Sequence, residues 1–183
     1  ATSSPNITAT DNKLFYATYR TAKWDGEITA TTIDPQTGEI NATSTWSARE
    51  KLENKTSASS DTRTIKYVGK SNKGAAILKD FTYSNLSATE KAYFENKCSL
   101  LAQCTSGRLT EDNKTSINGG ETVVNFLRGQ KQHNGTLFRE REYVLGDIVN
   151  SAPVYVKQAR YKWTDEGYDK FKEDTATRQE MVY

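Results

Sequence analysis

The sequence predicts a mainly β fold, and three observations support that prediction. Only 35% of the 183 residues are apolar, and Thr, Ser and Asn are abundant, which suits an extracellular β domain better than a cytosolic helical protein. The 10 Tyr, 6 Phe and 3 Trp residues argue against a disordered chain. Short runs of β-branched and aromatic residues recur between turn signals, whereas the helix signals are few and short.

The first strands are predicted after a small, polar lead-in over residues 1–12. The run Leu14–Tyr19 is apolar enough to be covered on both faces, and the run Glu27–Ile33 is rich in β-branched residues. The Asp-Gly pair in Lys23–Gly26 predicts the turn between them, and Asp34–Gly38 predicts a second turn. Because two strands alone bury little surface, this hairpin is expected to belong to a larger sheet.

The next segment predicts one short helix and two further strands. Ser47 and Glu50 stand in a capping-box pattern, which predicts a helix start within residues 46–54. The runs Arg63–Val68 and Ala75–Phe81 are the following strand candidates, and a polar turn separates them.

Two clearer helices are predicted in the middle of the chain. Ser87 and Glu90 form a second capping box, from which a helix should run to about Cys98. Residues 98–112 are predicted to be irregular. The segment Glu121–Leu127 has a continuous apolar side and predicts another helix, which Gly129 ends.

The stretch Phe138–Val156 is the most informative part of the chain. Gly146 permits a backbone turn, and Pro153 favours extended geometry before a strand at Val154–Val156. Asp147 lies inside otherwise apolar sequence, so we expect it to be partly buried and to need polar partners.

The C-terminal part predicts a helix and the beginning of a strand. Thr164 is the predicted N-cap, with acidic residues in the first helical turn and an apolar contact between Tyr168 and Phe171. The last residues, Glu180–Tyr183, have the composition of a strand.

Several classes of function are not suggested by the sequence. The formal net charge is +2 and no cluster of basic residues stands out, so nucleic acid is not an expected partner. No apolar run approaches the roughly 20 residues needed to span a membrane. The chain has one histidine, His133, in a polar turn, and it has no nucleophile, phosphate-loop or metal-ligand motif. We therefore expect a protein that is not an enzyme.

Three segments resemble one family. The stretch LGDIVNSAPVYV (145–156), preceded by Arg139 and Arg141, resembles the signature of the C-terminal β-propeller domain of PilC/PilY-type proteins, which are type IV pilus tip-associated adhesins and biogenesis factors. The segment LFYATYRTAKWDGEITATTID (14–34), followed by TWSAREKL (45–52), and the segment VVNFLRG (123–129) match in the family's order. The matches run from about Leu14 to Tyr183, with a poorly matching middle.

The resemblance implies that the chain is a partial β-propeller, formed by opening blades with a short helical insertion. After the lead-in 1–12, strands of the first blade would occupy residues 13–83 and the helical insertion residues 84–130. Residues 131–183 would supply the motif strand, a short helix and the start of the next blade. The rest of the propeller would then be one partner of this segment.

The resemblance also implies a function at the tip of the type IV pilus. Such a protein docks on minor pilins, opposes pilus retraction and adheres to surfaces or host cells. It would lie outside the cell, at the pilus tip or cell surface, after export through the periplasm of a Gram-negative bacterium. The family carries a calcium loop further along the propeller, so it would lie beyond Tyr183 and no cofactor is expected in this segment.

Two cysteines, Cys98 and Cys104, lie close together as CSLLAQC. From spacing alone they are either one local disulfide or a pair of reduced thiols. Together with the resemblance to an exported family, the spacing favours the disulfide.

Three polar residues of the central stretch are candidates for a site. Arg139, Arg141 and Asp147 either bind a ligand or partner, or form an internal network in which Asp147 accepts hydrogen bonds; we favour the network. A further Arg-Gly-Gln sequence at 128–130 occupies the position of Arg-Gly-Asp in some relatives, and we interpret it as a helix end.

Four aromatic residues are candidates for a protein interface: Trp24, Tyr155, Tyr161 and Trp163. The same rings would also serve as core residues of propeller blades. Two other functions stay open at this point, a quinoprotein-like propeller enzyme and a secreted carbohydrate-binding β-domain.

Overall fold

A computed structural model describes residues 12–159 and 161–183, so most of the predicted lead-in 1–12 lies outside the described residues. The chain divides into two compact units. Among the described residues, the first unit combines residues 12–49 with residues 145–159 and 161–183, and the second unit contains residues 50–144. The first unit is therefore built from two segments that are far apart in sequence. The predicted division into blade strands and a helical insertion stays a prediction.

Short strands and short helices alternate along the described residues. The strands are β1 (Lys13–Arg20), β2 (Asp25–Thr32), β3 (Trp46–Ser47), β4 (Lys66–Lys70), β5 (Ala76–Asp80), β6 (Tyr155–Val156) and β7 (Met181–Val182). The helices are α1 (Ala48–Glu53), α2 (Ala88–Lys91), α3 (Ala102–Thr105), α4 (Glu111–Asn118), α5 (Glu121–Leu127) and α6 (Tyr168–Thr175). The fold is therefore mixed, with several small antiparallel sheets and a few helices, and the expectation of a mainly β chain understated the helices.

The first unit contains a three-stranded sheet with the order β1-β2-β3 and the two-stranded pair β6–β7. Strand β1 pairs with β2 along its whole length, from Lys13 opposite Thr32 to Arg20 opposite Asp25. Because Leu14 and Phe15 are neighbours in β1, their side chains point to opposite faces of the sheet. Both residues are buried. This confirms the prediction that β1 is covered on both faces. The strands predicted at Val154–Val156 and Glu180–Tyr183 are also confirmed, and they pair with each other as β6 and β7.

The turn between β1 and β2 lies earlier than the sequence predicted. It occupies residues 21–24, where the N–H groups of Lys23 and Trp24 both donate to the carbonyl of Arg20. Trp24, and not the Asp-Gly pair, is the residue at the turn that takes the left-handed conformation, with φ +56°. Asp25 and Gly26 instead begin β2. The second turn is confirmed, because the Asp34 carboxylate accepts from two backbone N–H groups inside it.

The second unit contains the β4–β5 hairpin and helices α2 to α5. Its core cluster is formed by Ile117, Leu137, Phe138 and the pair Cys98 and Cys104, all of them buried. Phe126 of α5 stacks on Phe138 with a centroid distance of 4.4 Å. Helix α5 has the predicted bounds, and the Ser87–Glu90 capping box at the start of α2 is confirmed.

The middle of the chain differs from the prediction in the extent and the number of its helices. Helix α2 ends at Lys91 and not near Cys98, because the backbone N–H groups of Asn96 and Cys98 donate to Asn118 at the end of α4. Helix α3 and the first two residues of α4 form where the sequence predicted irregular backbone, and the rest of α4 lies in residues for which no element was predicted. The Thr110 hydroxyl caps α4 by accepting from the N–H of Asn113.

The C-terminal helix begins later than Thr164. Its N-cap is Gly167, which has φ +80°, and α6 starts at Tyr168. The predicted contact between Tyr168 and Phe171 is present, with a centroid distance of 5.9 Å. Among residues 12–159 and 161–183, no helix combines the length and the apolar character that crossing a membrane requires.

Cys98 and Cys104 form the predicted disulfide, which is part of the core cluster of the second unit. Because it closes a short ring, six residues apart in sequence, loop entropy gives it about 2 kcal/mol of stabilisation. Changing both residues to Ala should therefore lower the free energy of unfolding by about 2 kcal/mol in urea titrations. Reducing agent should destabilise the parent chain by a similar amount and leave the double variant unchanged. A double variant as stable as the oxidised parent would contradict a stabilising disulfide.

Candidate functional site

The start of β2 carries a buried charged group, the Asp25 cluster, formed by Arg20, Asp25, Glu27 and Arg49. The Asp25 residue is only 1% exposed. Arg20, directly opposite on β1, donates from Nε and Nη2 to the two carboxylate oxygens at 2.8 and 2.5 Å. This bidentate ion pair explains how the Asp25 carboxylate can be buried in the sheet, since a buried charge requires an opposite charge that also hydrogen-bonds to it.

Arg49 links α1 to the same cluster. Its guanidinium donates to the carbonyl of Gly26 at 2.9 Å and to the Asp25 carboxylate at 3.4 Å. The Glu27 carboxylate accepts from the N–H of Arg49 at 3.1 Å and from the Ser47 hydroxyl at 2.8 Å. Glu27 thereby satisfies an N–H group of the first turn of α1, a role that the sequence assigned to a Ser47 cap.

The hydrogen bond from Arg20 lowers the pKa of Asp25 below its ordinary value of 3.8, and the positive charges of Arg20 and Arg49 act in the same direction. Burial opposes this effect but does not outweigh it. The Asp25 carboxylate is therefore ionised throughout the neutral range. Through its contacts with Arg20 and Arg49 it links β1, β2 and the segment 47–49.

The central stretch meets β2 beside this cluster. The N–H of Gly26 donates to the carbonyl of Leu145 at 3.2 Å, and Asp25 forms a bridge with Gly146. A Cβ atom on Gly26 would lie 2.5 Å from the Gly146 carbonyl oxygen, so only glycine fits at this position. Three segments that are far apart in sequence, 25–27, 47–49 and 145–146, are thus in contact within one unit.

The segment VVNFLRG (123–129), which resembles the family, contains the C-terminal end of α5 in the second unit. Arg128 is buried there, and its guanidinium donates to the carbonyl of Phe81 and forms an ion pair with Asp61 at 2.9 Å. Gly129 has φ +104°, and a Cβ atom on it would lie 2.8 Å from Arg63 and from Val144. The interpretation of the Arg-Gly-Gln sequence as a helix end is confirmed.

The three polar candidates of the central stretch have different surroundings. Arg141 is half-buried; it donates to the carbonyls of Phe126 and Gln130 at 2.7 and 3.0 Å, and its guanidinium lies 3.9 Å from the ring centroid of Phe126. Burial lowers the pKa of Arg141 from its ordinary value, although it stays protonated. Arg139 and Asp147 are both exposed. The expectation that Asp147 is partly buried was wrong.

The four aromatic candidates do not form one surface. Tyr161 and Trp163 are exposed and contact each other at a centroid distance of 5.8 Å; Trp163 also stacks on Tyr168, which contacts Phe171. We call the group formed by Tyr161, Trp163, Tyr168 and Phe171 the aromatic row. Trp24 is exposed in the β1–β2 turn, whereas Tyr155 is half-buried and stacks on Phe15 at 5.0 Å.

A cavity of about 340 Å³ lies in the first unit between the three-stranded sheet and the β6–β7 pair. We call it the Trp46 cavity; its walls are formed by Phe15, Ala30, Thr45, Trp46, Tyr155 and Val182. Lys13 and Glu180 form an ion pair at its edge. The sequence did not predict this cavity, because its walls come from five separate segments.

Comparisons with known proteins identify relatives of the chain. The type IV pilus biogenesis factor PilY1 of Pseudomonas aeruginosa strain UCBPP-PA14 is 32% identical over 165 residues, which cover 87% of this chain and 13% of that protein. The factors of the same name from strains PAO1 and PAK are each 29% identical over 187 residues, covering 95% of this chain and 15% of theirs. No family model and no solved structure matches the chain.

The three relatives named by the comparisons are type IV pilus biogenesis factors. The chain is related in sequence to the PilY/PilC family, which confirms the resemblance indicated by its three matching segments. It spans between 13% and 15% of the length of the relatives that it matches.

Proposed function

We propose that the chain is part of a non-enzymatic factor at the tip of the type IV pilus, where it supports pilus assembly against retraction, docks on minor pilins and contributes to adhesion. The observation that carries this proposal is the similarity to PilY1 proteins over 87% to 95% of the chain. The proposed location is the pilus tip or cell surface.

The contacts of the matching segments support a scaffold role. The Trp-Asp-Gly segment, the Trp-Ser-Ala-Arg segment and the Leu-Gly-Asp segment meet at the Asp25 cluster and Gly26. Their side chains bond to one another and to backbone, which is the arrangement expected of residues that keep a binding surface rigid. We therefore propose that the two units belong to opening blades of a β-propeller, completed by the remainder of the parent protein.

The aromatic row supports an interface role for the first unit. Tyr161, Trp163 and Phe171 are 69%, 59% and 46% exposed, although their rings are large and apolar. Exposed Tyr and Trp side chains that are held in place by neighbouring rings are typical of interface anchors. We propose that this row contacts minor pilins or an adhesion surface.

Deletion of the parent gene, with and without the retraction motor, tests the proposed function. We expect the deletion to remove surface pili and twitching, and loss of the motor to restore the pili, because a factor that opposes retraction is dispensable when nothing retracts. Surface pili are measured by shearing and immunoblot. Unchanged piliation and twitching after deletion would contradict the proposal.

Complementation separates the scaffold from the interface. A parent gene carrying Tyr161→Ser and Trp163→Ser should restore pili in the deletion strain and fail to restore adhesion, if the aromatic row faces the adhesion surface. A gene carrying Lys170→Gln, a change at a side chain that is 77% exposed, is the matched control and should restore both. Failure of the double variant to restore pili would assign the row to pilin docking.

A further inference from the structure

A groove in the second unit follows the outer edge of strand β4. Its volume is about 690 Å³, within the range of roughly 300–1,000 Å³ that is typical of ligand sites. Three consecutive residues of β4, Val68, Gly69 and Lys70, line the groove, whereas β5 contributes Ala76 alone. Because neighbouring side chains of a strand point to opposite faces, a groove that touches all three residues must run along the strand edge. We call it the β4 groove.

The opposite wall of the β4 groove comes from α2 and the residues beside it. This wall is formed by Ser87, Thr89, Glu90 and Tyr93. Side chains of the hairpin hold it in place, because the Tyr67 hydroxyl donates to the Glu90 carboxylate at 2.9 Å and the Lys79 ammonium donates to it at 3.3 Å. Both walls of the groove are therefore fixed by contacts within the second unit.

The outer backbone groups of β4 have no hydrogen-bond partner within the part of the chain that the structure describes. The backbone N–H of Phe81 donates to Ile65 at one end of the hairpin, and that of Ser71 donates to Ala75 at the other, both at 2.8 Å. Because bonded and non-bonded pairs alternate in an antiparallel ladder, the odd-numbered residues of β4 bond to β5. The N–H and carbonyl groups that point away from β5 belong to Lys66, Val68 and Lys70.

An edge strand with unpaired backbone groups can add a further strand, and the charges of β4 restrict which strand fits. Two copies of β4 that overlap antiparallel along their whole length would place Lys66 of each copy opposite Lys70 of the other. Like charges directly opposite each other are destabilising. A strand from a different protein, with the complementary charge, is therefore the better occupant.

The exposed face of the hairpin indicates the chemistry of that strand. Of the four lysines in residues 66–80, two lie in ion pairs, Lys66 with Asp80 and Lys79 with Glu90. Lys70 and Lys73 are exposed, and neither pairs with a carboxylate of the described residues. Val68 and its cross-strand partner Leu78 are 71% and 70% exposed. The face thus presents positive charge near the turn and an apolar pair beside it.

We propose that the β4 groove binds an extended segment of another protein, which adds to β4 as an antiparallel strand. Its acidic residue lies opposite Lys70, and an apolar residue two positions later lies opposite Val68. The spacing of two follows from the alternation of side chains along a strand. The site does not depend on the proposed function at the pilus tip, because its contacts lie in the second unit alone.

Fluorescence anisotropy of a labelled synthetic peptide, Thr-Thr-Glu-Thr-Val-Thr-Thr, measures this binding. The peptide carries one acidic and one apolar residue at the proposed spacing, and we expect it to bind in a saturable manner. The same peptide with Lys in place of Glu should bind about tenfold more weakly, because a like charge then lies opposite Lys70.

Methylation of single peptide amides tests the pairing of the backbones. The outward groups of Val68 would exchange two hydrogen bonds with the peptide Val, so an N-methyl group on the amide of that Val should weaken binding about tenfold. The matched control carries the N-methyl group on the Thr between Glu and Val. Its N–H points away from β4 in the proposed ladder, so its affinity should change by less than about twofold.

A charge exchange tests the assigned contact at Lys70. Lys70→Glu should weaken the Glu peptide about tenfold and strengthen the Lys peptide by a similar factor. Lys55→Glu, at an exposed lysine of the same unit that does not line the groove, is the matched control and should bind both peptides like the unmodified chain. Thermal melts of both variants confirm that they fold.

Three results of the peptide titrations would overturn the proposal: absence of saturation, equal binding of the Glu and Lys peptides, and equal binding of the two N-methylated peptides. Sedimentation velocity examines self-pairing, and a dimer that Lys70→Glu strengthens would assign the edge to a second copy instead. The titration is repeated with the parent protein. Binding by the isolated chain alone would mean that residues of the parent cover β4, and the proposal would fail.

Discussion

Replacing Asp25 by Ala is expected to lower the free energy of unfolding of the chain by about 3 kcal/mol. The carboxylate is buried and accepts two hydrogen bonds from Arg20 and one from Arg49. Its removal takes from Arg49, whose side chain is 20% exposed, the ion pair at 3.4 Å and leaves the longer pair with Glu27 at 3.8 Å. Loss of one partner of a buried pair typically costs about 3–5 kcal/mol, and we take the lower end because Arg20 is 44% exposed.

Urea denaturation followed by circular dichroism measures this change, and Asp169→Ala is the matched control. The Asp169 side chain is 95% exposed, and its nearest ion-pair partner is Lys172 at 4.0 Å. Removing so exposed a charge should change the free energy of unfolding by less than about 0.5 kcal/mol. If the two variants were equally stable, the Asp25 cluster would have no stabilising role.

The pH dependence gives a second test of the same cluster. The pKa of Asp25 is lowered in the folded chain, so its stabilising contribution is fully present above the ordinary pKa of 3.8 and is lost as the pH falls through the lower folded value. The difference in stability between the parent and Asp25→Ala should therefore be constant around neutral pH and shrink in acid. A difference that grows as the pH falls below 3.8 would contradict the lowered pKa.

The sequence predicted those features that depend on local residues. Ser87 and Glu90 are three positions apart, and their capping box needs no contact from elsewhere. The apolar side of α5 and its end at Gly129 are likewise local, as is the Asp34 turn, where a side chain bonds to its own backbone two and three residues later. In each case the physical cause lies within a few residues of its effect.

The Asp25 cluster could not be found in the same way. Asp25 was placed in a turn because Asp-Gly is the common hairpin signal, yet the left-handed residue is Trp24 and the turn lies two residues earlier. Had the turn been placed at 21–24, Arg20 and Asp25 would have been recognised as cross-strand partners. No local signal connects Arg49 to Gly26, since that contact depends on how residues 47–49 lie against β2 within the first unit.

The error at Asp147 has a related cause. An acid between Leu145 and Ile148 was expected to be buried because its neighbours are apolar, an argument that assumes regular backbone. Residues 141–154 contain no strand, and Asp147 is exposed. Among the described residues of the first unit, the buried acid is Asp25, which lies beside Gly146 across the bridge.

Replacing Gly26 by Ala is expected to lower the free energy of unfolding by about 3 kcal/mol. The new Cβ atom would lie 2.5 Å from the carbonyl oxygen of Gly146 and 3.1 Å from the Ile148 side chain. Because the closest of these atoms belongs to the backbone, the two segments have to separate, which also breaks the hydrogen bond from the N–H of Gly26 to Leu145. Overpacking typically costs about 1–3 kcal/mol, and a lost hydrogen bond about 1 kcal/mol more.

Gly146→Ala is the matched control, because it adds the same methyl group on the other side of the same contact. No atom lies within 4 Å of a Cβ atom on Gly146. The unfolded chain also has fewer conformations with Ala, so the free energy of unfolding should be unchanged or rise by up to about 1 kcal/mol. Urea denaturation of the two variants compares them directly. If both alanine variants were equally destabilised, general backbone strain, and not the close approach of Gly26 to Gly146, would determine the loss in free energy of unfolding. If both variants were as stable as the parent, the central stretch would not pack on β2 as described.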